Sequence, residues 1–221
     1  MKRFISKLFV LSIVITIILC LLKEKDMTLR QSILKTFYPV IMFLGKLFPS
    51  AHAVLENKQQ INPTVSFYSL QATTNNGDII SFEAFKGKKV LIINTASDCG
   101  FTAQYDELEK LHELYKDSLI MLAFPANDFK QQEKGTDAEI AAFCKKNYGI
   151  SFNLMQKCTV VKNENQHPVF SWLSSSDKNG WCNQAPTWNF NKYLINENGV
   201  LLNYFDKTVS PLSKKVLAVV K

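Results

Sequence analysis

The sequence predicts an α/β sandwich, a central mixed sheet flanked by helices, with an N-terminal hairpin ahead of it. Three observations carry this expectation. Two runs rich in branched aliphatic residues, Lys89–Thr95 and residues 118–124, read as buried strands. Between them Tyr105, Leu108, Leu111 and Tyr115 recur at helical spacing, with Asp106, Glu107, Glu109 and Lys110 in the gaps. Later, residues 188–196 and 200–205 face one another across Asn198-Gly199, a dipeptide suited to a hairpin turn. Strand, helix, strand, a further helix, an antiparallel pair and a closing helix follow the order of a thioredoxin-like fold.

In chain order, the 221 residues suit one domain of ordinary size with an appendage. The composition, 47% hydrophobic and 20% charged, is that of a globular protein and excludes a disordered or fibrous chain. The net charge of +7 is unevenly spread. Residues 1–53 hold eight Lys and Arg against Glu24 and Asp26, a net of +6, which leaves +1 for residues 54–221. A nearly neutral domain lacks the basic face that nucleic acid requires, so no nucleic-acid partner is expected.

Residues 1–26 read as an N-terminal membrane anchor or signal. Met1-Lys2-Arg3 precedes an uncharged run over 8–22, and Phe4 and Ile5 extend it past Lys7, which can snorkel. Charged residues Lys23-Glu24-Lys25-Asp26 follow Leu22 with no small-residue cleavage site, which favours an uncleaved anchor over a removed signal. The sequence thus predicts a membrane-associated protein held through a transmembrane helix at residues 4–22. Basic residues at both ends of the run leave the side of the membrane open. Residues 27–63 read as an amphipathic segment and linker. Leu29, Ile33, Phe37, Ile41, Leu44 and Phe48 form an apolar stripe for a membrane surface or for the domain, interrupted by Pro39. The polar stretch 54–63 reads as the linker, and the domain covers 64–221.

Within the domain, residues 66–70 read as a strand, Asn75-Asn76-Gly77-Asp78 as a turn and residues 79–82 as the partner strand. Thr136-Asp137-Ala138-Glu139 has the form of a capping box, opening a helix with Ile140 and Phe143 on its apolar face and Cys144 beside them. Residues 154–161 read as a strand and 167–173 as a short helix opened by Pro168. Ser210-Pro211 starts the last helix, over 212–220.

The chemistry turns on one cysteine. Cys20, Cys99, Cys144, Cys158 and Cys182 are odd in number and irregularly spaced, and no C-x-x-C pair or metal-binding Cys/His spacing is present. His112 and His167 stand alone and read as helix-surface or capping residues. Cys99 falls where the first strand gives way to a helix, in Ala96-Ser97-Asp98-Cys99-Gly100. Free N–H groups and the positive end of the helix dipole favour an anion there, lowering the thiol pKa and making the thiolate a nucleophile. A thiolate that reduces a peroxide needs neutral donors around it. Gln132, after the second strand, and Trp188-Asn189, entering the third, supply amide and indole N–H groups.

These residues carry a resemblance. Asn94-Thr95-Ala96-Ser97-Asp98-Cys99-Gly100-Phe101-Thr102 resembles the first signature of the glutathione peroxidase family. Phe124-Pro125-Ala126-Asn127-Asp128-Phe129-Lys130-Gln131-Gln132-Glu133 resembles the second, and Trp188-Asn189-Phe190-Asn191-Lys192-Tyr193 the third. The resemblance implies Cys99 as peroxidatic residue, in the cysteine rather than the selenocysteine form, with Gln132, Trp188 and Asn189 completing a catalytic tetrad. It implies reduction of hydrogen peroxide and of organic or lipid hydroperoxides under oxidative stress, with glutathione or thioredoxin as reductant and no cofactor or metal. Thioredoxin-dependent members carry a resolving cysteine in the helix after the Gln loop, which points to Cys144. Cys182 and an external thiol are the alternatives, while Cys158, read within a strand, is expected to be inert.

Two positions depart from the family pattern: Ala126 replaces a usual cysteine and Asp128 a usual glutamine. The interface-building loop of tetrameric members is missing around residues 144–150, which implies a monomer, and no arginine cluster marks a glutathione pocket. Two rivals share the fold: a redox sensor that oxidises a partner, and a membrane-attached binding or chaperone protein without turnover. The second needs paired cysteines or a Cys/His set near Cys99, and the sequence has neither.

Overall fold

Aliphatic side chains alternate between two faces along the central strands, and that alternation divides the core into two layers. The computed structural model describes residues 26–47 and 53–221. Its main sheet has six strands: β1 (Val54–Glu56), β4 (Lys89–Thr95), β5 (Leu119–Pro125), β6 (Asn153–Leu154), β7 (Lys192–Ile195) and β8 (Leu201–Phe205). They lie in the order β1-β8-β7-β4-β5-β6. β4, β5 and β6 run parallel, whereas β7, β8 and β1 pair antiparallel, β7 against β4. The short hairpin β2 (Gln71–Thr73) and β3 (Ile79–Ser81) stands apart.

Leu91 and Ile93 of β4 point to one face, with α2 (Gln104–Tyr115), α3 (Asp137–Tyr148) and α6 (Lys214–Val220) packed there through Leu108, Ile140 and Val216. Val90 and Ile92 point to the other, against Phe67, Phe82 and α4 (Pro168–Leu173), which α5 (Ser176–Asn179) follows. Both faces of β4 are covered, which is why it reads as a continuous apolar run. This is a thioredoxin-like sandwich. The capping box at Thr136 and Glu139 is formed, and His167 caps α4 by accepting from the Val169 N–H.

Four stretches differ from the reading of the sequence. Residues 66–70 form a 3-10 turn, because Ser66 caps it and Phe67 is drawn against Phe82 and Trp172, with ring centroids 5.0 and 5.3 Å away. Val54–Glu56, read as linker, is an edge strand whose hydrogen-bonding partner β8 lies far along the chain. The strand expected over 154–161 stops at Leu154, since the N–H groups of Gln156 and Cys158 turn to Thr73 and Pro125. Residues 188–191 are not strand either, and β7 begins at Lys192.

Helix α1 (Leu29–Leu47) runs through Pro39 without a break. Both halves are held by the domain: Tyr38 and Met42 are buried with Ala103, and the Tyr38 hydroxyl donates to Glu107 at 2.9 Å. An ion pair joins Asp26 to Lys146 at 2.6 Å. The predicted stripe is mostly turned away from the domain: Leu29, Phe37 and Leu44 are exposed and Ile41 stands against Gly100, while the buried face is that of Tyr38 and Met42. The expected membrane association is not upheld. Among the described residues no helix is long and apolar enough to cross a membrane, and residues 4–22, on which that reading rested, lie outside the described residues.

Candidate active site

Three loops converge at the carboxyl end of β4, and backbone and side-chain hydrogen bonds lace them together. Asn94 holds the third motif to the first. Its Nδ2 donates to Trp188 O at 2.9 Å, its Oδ1 accepts from Asn191 N at 3.0 Å, and its carbonyl accepts from Phe190 N. The second motif is tied in by Ala126 N to Thr95 O at 2.9 Å and by Asp98 N to Gln132 O at 3.1 Å. Backbone strain accompanies this lacing. Lys130 and Gln131, before Gln132, have φ of 52°, and Phe190, after Asn189, has φ of 67°. Such left-handed residues cost free energy and persist where surrounding contacts over-determine them.

Cys99 sits in a closed turn. Thr102 Oγ1 accepts from Cys99 N at 3.0 Å and donates to Ala96 O at 2.9 Å. Cys99 is 1% exposed, its sulfur accepts from the Phe101 N–H at 3.5 Å, and the side chains of Trp188 and Asn189 lie close enough to favour its thiolate. Asn189 Nδ2 also donates to Gln132 Oε1 at 2.9 Å, so Gln132 joins the cradle through Asn189. Trp188 packs against Phe129 at 5.7 Å between ring centroids, with Lys130 Nζ 5.6 Å from its ring. All four residues named from the sequence therefore come together.

The electrostatics differ from expectation. Burial pushes the Cys99 thiol above its ordinary value, while the Phe101 N–H, Trp188, Asn189 and the charge of Arg30 pull it back. A lowered value was expected from a helix start, but α2 begins only at Gln104. The N–H groups of Thr102 and Gln104 are taken by the carbonyls of Cys99 and Phe101.

Cys144, in α3, is buried on the same face of the sheet as Cys99, and burial pushes its thiol up to about 12 despite the nearby Tyr105 hydroxyl. Cys182 belongs to the opposite core layer, bracketed by Asn179, which accepts from its N–H and donates to its carbonyl. Cys158 lies outside any strand and is pushed up to about 12 by burial and by Asp128 and Asp137. At the two departures from the family pattern, Ala126 is fully buried and Asp128 accepts from Val160 N at 2.9 Å.

Three contributors escaped the reading of the sequence. Glu133 is 1% exposed and accepts from Ser97 Oγ at 3.1 Å, and burial raises it to about 7. Its place beside Gln132 was visible, but nothing local signals its burial. Arg30 and Gln31 of α1 reach the carbonyls of Asp98 and Ser97, across sequence gaps of 68 and 66 residues that no motif announces. Glu133 and Gln31 border a cavity of about 280 Å³, lined also by Ser97, Asp98, Gln132 and Ile140 among others. Among the described residues no cluster of three or more His, Cys, Asp or Glu is placed to hold a metal.

Comparison with known proteins gives a consistent result. A family model described as Glutathione peroxidase matches residues 67–174. Glutathione peroxidase homolog BsaA of Staphylococcus epidermidis is 43% identical over 147 residues, 66% of this chain and 92% of its own. Glutathione peroxidase-like peroxiredoxin 2 of Saccharomyces cerevisiae is 40% identical over 151 residues, 68% of this chain and 93% of its own. The crystal structure of Trgpx in apo form superposes with a TM-score of 0.54 at 29% identity, over 71% of this chain and 96% of that one. Two thirds of this chain thus accounts for nine tenths of each relative, and α1 lies outside the family match.

Proposed function

The chain belongs to the glutathione peroxidase family and is a thiol peroxidase, and from that premise we propose that Cys99 is its peroxidatic residue. The observation that carries this reading is the ring of neutral donors on the sulfur: the Phe101 N–H, Trp188 and Asn189, with Gln132 behind Asn189. A cationic cradle would hold the thiolate too firmly to attack, whereas neutral dipoles stabilise both it and the oxygen that leaves.

In the first step the Cys99 thiolate attacks the terminal oxygen of hydrogen peroxide or an organic hydroperoxide. The S–O bond forms as the O–O bond breaks, and the departing alkoxide or hydroxide takes a proton to leave as alcohol or water. The sulfur becomes a sulfenic acid. A second thiol then condenses with it, forming an S–S bond and releasing water. A reductant restores both thiols by exchange. In the cell this serves the response to oxidative stress.

Cys144 is the resolving thiol of this proposal. Its support is its place on the same core face as Cys99, whereas Cys182 lies across the sheet. Both thiols are buried and free, so α3 or the Cys99 turn must open for them to meet. A protein dithiol of the thioredoxin type suits the resulting disulfide, and a single chain supplies every residue of the cycle.

Stopped-flow mixing of the reduced full chain with one equivalent of hydrogen peroxide, followed by disulfide mapping, tests the scheme. Peroxide consumption with a Cys99–Cys144 bridge is expected. A bridge to Cys182, or a persistent Cys99 sulfenic acid, removes Cys144 from the cycle. No consumption at all removes Cys99.

A further inference from the structure

Helix α1 lies outside the family match yet takes hold of the turn that carries Cys99. Arg30 Nη1 donates to Asp98 O at 2.9 Å, and the same guanidinium pairs with the Asp98 carboxylate. One residue on, Gln31 Nε2 donates to Ser97 O at 3.1 Å. Further along, Ile41 Cδ1 stands against Gly100, where an added Cβ would meet it at 3.3 Å. The helix therefore touches Ser97, Asp98 and Gly100, on both sides of the cysteine. Its own first turn is built for this. Thr28 Oγ1 accepts from Gln31 N at 3.2 Å while Gln31 Oε1 accepts from Thr28 N at 2.9 Å, a reciprocal cap that fixes the start of the helix.

We propose that Arg30 is a positioning residue for the peroxidatic thiol. By holding both the carbonyl and the carboxylate of Asp98, it keeps the Cys99 turn in the conformation that meets the Phe101 N–H, Trp188 and Asn189. The inference rests on the reading of Cys99 as the peroxidatic residue. One guanidinium nitrogen, Nη1, serves both acceptors. Arg30 also offsets the negative charge of Asp98, the residue before Cys99, and its own charge favours the thiolate. The other charged groups around the turn are Glu133, bonded to Ser97 from the Gln132 loop, and Lys130, over the Trp188 ring. Neither reaches Asp98 as Arg30 does. The Arg30 and Asp98 side chains are 55% and 40% exposed, so the effect is modest and falls with ionic strength.

Two readouts on the full chain decide the matter: the pH midpoint of Cys99 alkylation by iodoacetamide, and the second-order rate of peroxide reduction against pH. Cys20, Cys144, Cys158 and Cys182 are replaced by Ser in the alkylation background, so that Cys99 is followed alone. In Arg30→Ala the midpoint is expected to rise and alkylation at pH 7 to slow roughly two- to fivefold. The peroxide rate is expected to fall by a similar factor, and Arg30→Lys to restore part of both. High salt is expected to draw the wild type towards the alanine variant. An unchanged midpoint in Arg30→Ala overturns the proposal. So does a slower peroxide step with an unchanged midpoint, because that is the mark of a merely structural anchor. If the wild type consumes no peroxide, the reading of Cys99 fails instead, and the alkylation midpoints still report on Arg30.

Discussion

Cys99 and Cys144 are buried in the same core layer, at 1% and 0% exposure, and burial raises both thiols. Their surroundings part company after that. Cys144 sits in the body of α3, where backbone donors are spent on the helix, and the Tyr105 hydroxyl is the group that favours its thiolate. Cys99 sits in a turn whose Phe101 N–H points at the sulfur, and a second loop brings an indole and an amide to it. Burial alone leaves a thiol protonated at neutral pH until its surroundings open. Burial with neutral donors nearby draws the thiol back towards ionisation, which is what the proposed role of Cys99 requires.

The sharpest test of this contrast removes the sulfur. Cys99→Ser is expected to bring hydrogen peroxide consumption, with dithiothreitol as reductant, down to that of buffer, while the far-ultraviolet circular dichroism is unchanged. The turn is closed by Thr102 and by backbone bonds that serine leaves in place.

Removing the donors one at a time tests whether they, rather than burial, set the difference. Trp188→Phe keeps a ring against Phe129 but loses the N–H, and Asn189→Ala and Gln132→Ala remove the amide pair. Each is expected to slow the peroxide step by roughly a hundredfold, measured in single turnover. The alkylation midpoint of Cys99 is expected to rise towards that of Cys144 in the Trp188 and Asn189 variants. If all three keep wild-type rates, the contrast between the two thiols has another cause.

A smaller effect concerns the carboxyl group packed beside Gln132. Glu133 is raised to about 7 in the fold from an ordinary value of 4.5, chiefly by burial. Between those values the unfolded chain gives up its proton first, so the folded state binds more protons and stability falls as pH rises. Glu133→Gln keeps an acceptor for Ser97 and removes the ionisation. It is expected to flatten the stability profile between pH 4.5 and 7 and to stabilise the protein at pH 8 by up to about 3 kcal/mol, read from urea unfolding. A profile as steep as the wild type would place that slope on other groups.

The sequence by itself determined the elements that obey local rules. β4 and β5 are visible as apolar runs, α2 as a 3.6-residue period, α3 as a capping box and the last hairpin as Asn198-Gly199. The three motifs also named Cys99, Gln132, Trp188 and Asn189, which the fold brings together. Tertiary structure alone decided the rest. It made Val54–Glu56 a strand by supplying β8, and it kept α1 helical through Pro39 by giving both halves a surface. It turned the expected fall of the Cys99 pKa into a rise, since the helix N-terminus lies too far on and the sulfur is enclosed. It also placed Arg30 on Asp98. Periods, caps and turns are contests among residues a few positions apart. A thiol's ionisation depends on which distant groups reach it once the chain has closed, and that is a property of packing.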